Sequence, residues 1–141
     1  MEIRWYKGKE DFHLTYGIRK EVFVEEQKVP VEMELDEYDD TAYHIVLFDN
    51  NTPVATGRLL EGEEYFKIGR VAVLKEHRGK SYGKVVMENM IKKAAELGAK
   101  EVHLHAQLHA KRFYENLGFE PYGEVFDEAG IDHISMKILL G

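Results

Sequence analysis

The stretch from Tyr65 to Gln107 restricts the fold of this chain more than any other. Residues 65–74 read as a strand that ends in Ile68, Val71 and Val73. A Gly-bearing loop, His77–Gly83, follows. Residues 83–97 then carry two adjacent i, i+4 rows, Val86/Met90/Ala94 and Met87/Ile91/Ala95, with Gly98 at the helix stop. Glu101–Gln107 reads as a second strand. Strand, helix and strand joined this tightly form a βαβ crossover, which makes the two strands parallel and the connection right-handed.

The remaining elements are arranged around that unit. Glu2–Tyr6 alternates and reads as a strand. Residues 10–27 read as one helix, from Phe12, Tyr16 and Val22 or Phe23 at roughly helical spacing, and Pro30 with the acids after it breaks the pattern. His44–Phe48 and Pro53–Leu60 flank the turn Asp49-Asn50-Asn51 and form a hairpin. Ala110–Leu117 reads as a short helix ended by Gly118, and Phe119–Phe126 and His133–Leu139 as the last strands. The order is βαβββαβαββ, a mixed α/β arrangement. With 141 residues and no repeat or linker, one domain over 1–141 is expected.

Composition removes several function classes. There is no cysteine, which excludes disulfides, thiol nucleophiles, Fe–S clusters and Cys-type zinc sites. The net charge of −7 argues against a nucleic-acid partner. No apolar run approaches the roughly 18 residues of a membrane span, and Met1–Glu10 carries no apolar signal core. No membrane partner is expected, and a cytoplasmic location is. Charge is nonetheless uneven. From Glu21 to Asp40 nine acids face Lys28 alone, and from Lys67 to Lys93 eight bases face Glu76 and Glu88. Two solvated faces, or one pole for an anion and one for a cation, both satisfy that map.

The segment His77-Arg78-Gly79-Lys80-Ser81-Tyr82-Gly83-Lys84 runs from a strand into a helix N-terminus. The first helical turn offers unpaired N–H groups and the positive end of the helix dipole. Gly79, Ser81 and Gly83 let the backbone come close, and Arg78, Lys80 and Lys84 add charge. The combination suits a pyrophosphate. It is neither a Walker A loop nor the Gly-x-Gly-x-x-Gly dinucleotide fingerprint. A basic loop that only caps a helix is the plainer alternative.

Val71-Ala72-Val73 followed by Arg78-Gly79-Lys80-Ser81-Tyr82-Gly83 resembles the acetyl-CoA signature of the GNAT acyltransferases, Arg/Gln-x-x-Gly-x-Gly/Ala. Arg78 takes its first place and Gly83 its last, and Ser81 stands where glycine is usual, which strains the loop if a positive φ is needed there. Phe113-Tyr114-Glu115-Asn116-Leu117-Gly118-Phe119 resembles the family's Phe-Tyr-x-x-x-Gly-Phe segment. Arg19-x-x-Val22-Phe23-Val24-x-Glu26-Gln27-x-Val29-Pro30 and Gly130-Ile131-x-His133 are similar to the ElaA-type subgroup.

The resemblance implies a GNAT fold of about seven strands with flanking helices and a parallel pair that splays at the cofactor site. It implies acetyl-CoA as co-substrate, with pantetheine along Val71, Ala72 and Val73 and pyrophosphate on Arg78, Gly79, Lys80, Ser81, Tyr82, Gly83 and Lys84. A backbone N–H near Val71 is then placed to stabilise the oxyanion. Tyr114 occupies the proton-donor position and contacts the cofactor, provided the site matches a phenol near 10 to a thiolate near 8.5. A packed aromatic is the alternative for Tyr114. The attacking amine must lose a proton to His133, Glu26 or Glu25, directly or through water. A capping or core role for His133 and plain solvation for the glutamates are the alternatives. Gln107 ends its strand within reach of pantetheine or acceptor amides.

The implied activity is transfer of an acetyl group to a primary amine of a small molecule or peptide by direct attack. The acids of 21–40 would favour a cation at the cleft mouth. A non-catalytic CoA-binding or regulatory module is the alternative in another class. A third reading rests on His103, His105 and His109: His-x-His spacing can hold zinc or copper, but a closed site needs further ligands, so no metal is expected. Assembly into a homodimer is left open.

Overall fold

Seven strands form one sheet in the order β1-β2-β3-β4-β5-β7-β6, in a computed structural model that describes residues 1–141. They are β1 (Glu2–Lys7), β2 (Tyr43–Asp49), β3 (Thr52–Leu60), β4 (Phe66–Val73), β5 (Glu101–Gln107), β6 (Glu120–Glu128) and β7 (Ile131–Leu139). Every neighbouring pair is antiparallel except β4 and β5. The helices are α1 (Phe12–Arg19), α2 (Val31–Glu34), α3 (Tyr82–Glu96) and α4 (Lys111–Glu115). This is the mixed α/β order expected from the sequence, with strand and helix ends within one or two residues outside the first helical stretch and the acidic segment. No helix is long and apolar enough to cross a membrane.

Helix α3 is the βαβ crossover and packs on one face of the sheet. Val86, Met87, Met90 and Ala94 are buried there against Ile45, Leu47, Leu59 and Ile68, whereas Ala95, in the second expected row, is exposed. Gly57 in β3 makes the close approach: a Cβ there would lie 2.5 Å from Met90 Cε. Helix α1 covers the opposite face, where Ile18 and Val22 pack on Val46, Phe48 and Ala72.

Two segments depart from expectation. The helix expected over 10–27 is α-helical only to Arg19 and continues as a π-helix over Lys20–Glu26. The N–H of Gln27 bonds the carbonyl of Val22, five residues back, while Arg19 and Val22, three positions apart on one helix face, both point inward. The acidic break after Pro30 is folded too. It holds α2, and then a 3₁₀ turn over Glu37–Asp40 that Asp36 caps by accepting from the Tyr38 N–H.

Candidate functional site

The parallel ladder between β4 and β5 is short. It joins Phe66 to Val102, Lys67 to His103 and Ile68 to Leu104, and stops. Beyond Ile68, β4 runs on to Val73 paired only with β3, and beyond Leu104, β5 runs on to Gln107 paired only with β7. The strands therefore splay at their C-terminal ends. A bulge reinforces this: Thr56 faces Ala72 but Arg58 faces Gly69, so Arg70 and Val71 stand opposite Gly57 alone. Arg70 takes φ +52° to do so, a left-handed conformation unusual for a residue other than glycine.

Two contiguous cavities open at the splay. One, of about 440 Å³, is lined by the loop residues Arg78, Gly79, Ser81, Tyr82, Gly83 and Lys84, with Phe113 behind them. The other, of about 960 Å³, runs from Val71–Val73 past Tyr114 and Gln107 to His133. Val73, Arg78, Gly83 and Phe113 line both. Helix α3 starts at the loop. The first amide bonded within it is that of Val85, to Ser81 C=O, and no side chain caps the amides before it. They remain available to an anion. A Cβ on Gly83 would sit 3.5 Å from Phe113 and 3.8 Å from Val73, in ordinary contact. Tyr82 contributes its backbone to this turn, while its hydroxyl donates to Asp49.

Ser81 has φ +64°, so the serine does occupy a left-handed position. Its side chain makes no capping bond that glycine would lose. Ser81→Gly is expected to leave stability unchanged or raise it by up to about 1 kcal/mol in urea denaturation.

Arg78 donates to both carboxylate oxygens of Glu26, at 2.7 Å each, and to Val73 C=O at 3.0 Å. The Arg78 hydrogen bond holds the Glu26 carboxyl below the usual range, which makes it a poor proton acceptor. Tyr114 lies between Phe113 and Phe119, with ring centroids 5.0 and 6.2 Å away. Burial pushes its phenol up to about 12, away from a match with a thiolate. Gln107 exchanges amide hydrogen bonds with Gln27, the shorter 2.9 Å.

His133 is buried and faces the larger cavity. Its Nδ1 is 2.7 Å from Ile131 C=O, which can only accept, so Nδ1 carries a proton and Nε2 is the nitrogen turned toward Glu128. Glu128 Oε2 stands 3.6 Å from that Nε2, and Glu128 Oε1 accepts from His105 Nδ1 at 3.0 Å. That hydrogen bond with His105 holds the Glu128 carboxyl low despite partial burial. His103 is engaged elsewhere. It is stacked on Tyr65 at 3.9 Å and hydrogen-bonded to Tyr122 and Glu101 at 2.8 and 3.0 Å. The two histidines of the His-x-His run thus serve different partners.

The far wall of the larger cavity belongs to the acidic segment, and its charges are already spoken for. Arg19, fully buried, bonds Glu34 and, at 2.8 Å, Asp39. Arg58 reaches Asp36 at 2.7 Å and Asp39 at 3.2 Å. Arg70 bonds the Glu34 carbonyl at 2.9 Å and Asp36 at 3.2 Å. Three arginines and three acids compensate one another. This corrects the expectation that the acids of 21–40 draw a cation to the cleft: Glu34, Asp36 and Asp39 are turned onto arginines.

The family profile described as "Acetyltransferase (GNAT) domain" matches residues 8–140. The chain belongs to the GNAT acetyltransferase family. It is 40% identical over 131 residues to the uncharacterized N-acetyltransferase YjcF of Bacillus subtilis, covering 92% of this chain and 94% of that protein. It is 35% identical over 124 residues to ElaA of Escherichia coli, covering 84% of this chain and 81% of that protein. The crystal structure of Escherichia coli ElaA superposes with a TM-score of 0.90 over 98% of this chain and 99% of that one. An acyl-CoA N-acyltransferase from Pseudomonas aeruginosa, 32% identical, gives 0.85 over 98% of this chain and 99% of that one.

Within this GNAT fold, sequence reading missed Glu128, Lys67 and the Arg19–Arg58–Arg70 set. Arg19 was visible only inside the ElaA-type pattern. Arg58 and Arg70 sit mid-strand, where a long polar side chain ordinarily points to solvent. The one usable signal was the excess of acids in 21–40, which had to be neutralised from somewhere.

Proposed function

We propose that this protein is an acetyl-CoA-dependent N-acetyltransferase that acetylates a primary amine of a small molecule or peptide by direct attack. The observation that carries this reading is the splay of β4 from β5 over two cavities that meet at Val73, Arg78, Gly83 and Phe113. The residues present fit the cofactor: the uncapped α3 turn and Arg78, Lys80 and Lys84 suit a pyrophosphate, and Gly83 leaves the approach open. Acetyl-CoA supplies an acyl group activated as a thioester.

Backbone amides of Gly69–Val73 on the opened side of β4 are available to pantetheine and to the charge that develops on the carbonyl oxygen. His133 Nε2 takes the proton of the attacking amine, and Glu128 stabilises the imidazolium that results. Glu26, already bound by Arg78, serves to place that arginine at the phosphate loop. Tyr114 donates a hydrogen bond to the departing sulfur. Gln107, freed from or shared with Gln27, offers its amide to pantetheine or acceptor.

The test has two arms. Saturating acetyl-CoA is expected to raise the melting temperature, and thiol release with a panel of amines is expected to show turnover. No shift and no calorimetric heat would end this reading. A shift without turnover on any amine would leave a CoA-binding module. Gly83→Val localises the site. Its Cβ meets only ordinary contacts, so the variant folds, while the added methyls fill the phosphate approach. Acetyl-CoA affinity should fall at least about tenfold by calorimetry.

A further inference from the structure

Among the charged side chains that line the larger cavity, one makes no direct ion pair or hydrogen bond. Lys67 lines it, half-buried, from a strand position held by Leu60 on one side and His103 on the other. Its ammonium has no ion-pair or hydrogen-bond partner in the fold. Burial lowers its pKa, and the charges acting on it are Glu128, Arg58, Arg70 and Asp36. Glu128 and Asp36 are the negative charges that act on it, from beyond ion-pair distance. Asp36 is held by Arg58 and Arg70, and Glu128 by His105 with His133 beside it. A half-buried ammonium whose donors meet no acceptor, facing the cavity in which the acceptor would bind, favours a hydrogen-bonding anion there.

We propose that the acceptor is an amine that also bears a carboxylate, and that Lys67 reads that carboxylate. This rests on the acetyl-transfer reading above and sharpens its substrate class. The amine end lies toward His133 and Glu128, and the carboxylate end lies along β4 toward Lys67. A diamine would place a second cation against Lys67. A neutral alkylamine would leave Lys67 unsatisfied.

Three length-matched amines test this: γ-aminobutyrate, butylamine and the four-carbon diamine, with α-amino acids as a second carboxylate series. For the wild-type protein kcat/KM should favour the carboxylate-bearing amines over butylamine by about tenfold or more, the usual worth of a charge-assisted hydrogen bond. Lys67→Met should erase that preference, and Lys67→Glu should turn it toward the diamine. Both variants should keep the thermal shift with acetyl-CoA, which shows that the fold and the cofactor half are intact.

Calorimetric titration of the same amines into the protein–CoA complex should reproduce the ranking without turnover. A ranking in either assay led by butylamine or the diamine, or a carboxylate preference that survives Lys67→Met, overturns the proposal. Loss of the acetyl-CoA shift in the wild-type protein instead overturns the reading on which it rests.

Discussion

Arg19→Met is expected to lower the unfolding free energy by about 3–5 kcal/mol, the usual cost of deleting one partner from a buried ionic cluster. The guanidinium is fully buried and is the shared donor to Glu34 and Asp39, themselves 2% and 0% exposed. Methionine fills much of the volume but leaves two carboxylates without their main counter-charge. One Glu34 oxygen has no hydrogen-bond partner even in the intact protein, so little slack remains. Against the roughly 5–15 kcal/mol that holds a typical domain, this loss is large.

The acid limb of stability should change with it. Burial opposes ionisation of Asp39, yet the hydrogen bond from Arg19 and the charges of Arg19 and Arg58 outweigh it and hold the pKa at about 2. That lies below the ordinary value of 3.8, so its contribution is full above that value and is lost as pH falls through about 2. In Arg19→Met the depression of the Asp39 pKa is smaller, so the part of the stability that is lost between pH 3.8 and about 2 should shrink. Denaturant titrations from neutral to acid pH measure both effects, and a loss below about 1 kcal/mol would show that the cluster adds little.

Tyr114→Phe is expected to lower turnover about a hundredfold, at the low end of what a positioned proton donor supplies. The ring keeps its place against Phe113 and Phe119, so stability and acetyl-CoA affinity should hold. A phenol at about 12 is a weak acid beside a thiol. Its service is therefore a hydrogen bond to sulfur as negative charge builds, before any complete transfer. Because it stays protonated over the working range, no limb of a pH–rate profile between about pH 6 and 10 should disappear with it. Turnover within about twofold of wild type on a productive amine would make Tyr114 a packing residue.

The crossover was legible because its signals are local and repeat. An i, i+4 row, a glycine stop and two apolar strands specify strand, helix and strand without reference to the rest of the chain. The anion loop was legible for the same reason: Arg78 to Lys84 are contiguous, and the helix they open supplies the chemistry. The left-handed Ser81 could be suspected because it stands where the resembling loop usually carries glycine.

Long-range pairing was not legible. Whether Glu26 is a base or the partner of Arg78 depends on residues 52 positions apart meeting. Asp39 could not be told from its solvated neighbour Asp40 without knowing that Arg19 and Arg58 converge on it from a helix and a strand. The π-helical stretch over Lys20–Glu26 carries no periodic signature of its own. Lys67 alternates in its strand as a surface lysine would, and only its place on the cavity wall without a direct partner distinguishes it.

The brief ladder between β4 and β5 also has a mechanical side. Four strands on one flank and three on the other are joined in the sheet by Phe66–Val102, Lys67–His103 and Ile68–Leu104 alone. Each flank is a continuous antiparallel block and therefore stiff, so compliance concentrates at this seam. The angle between the blocks sets the width of the gap into which both cavities open. A ligand bridging the gap acts as a brace, and amide protons on either lip, in Val71, Val73 and Ala106, are where its stiffening would register in hydrogen exchange.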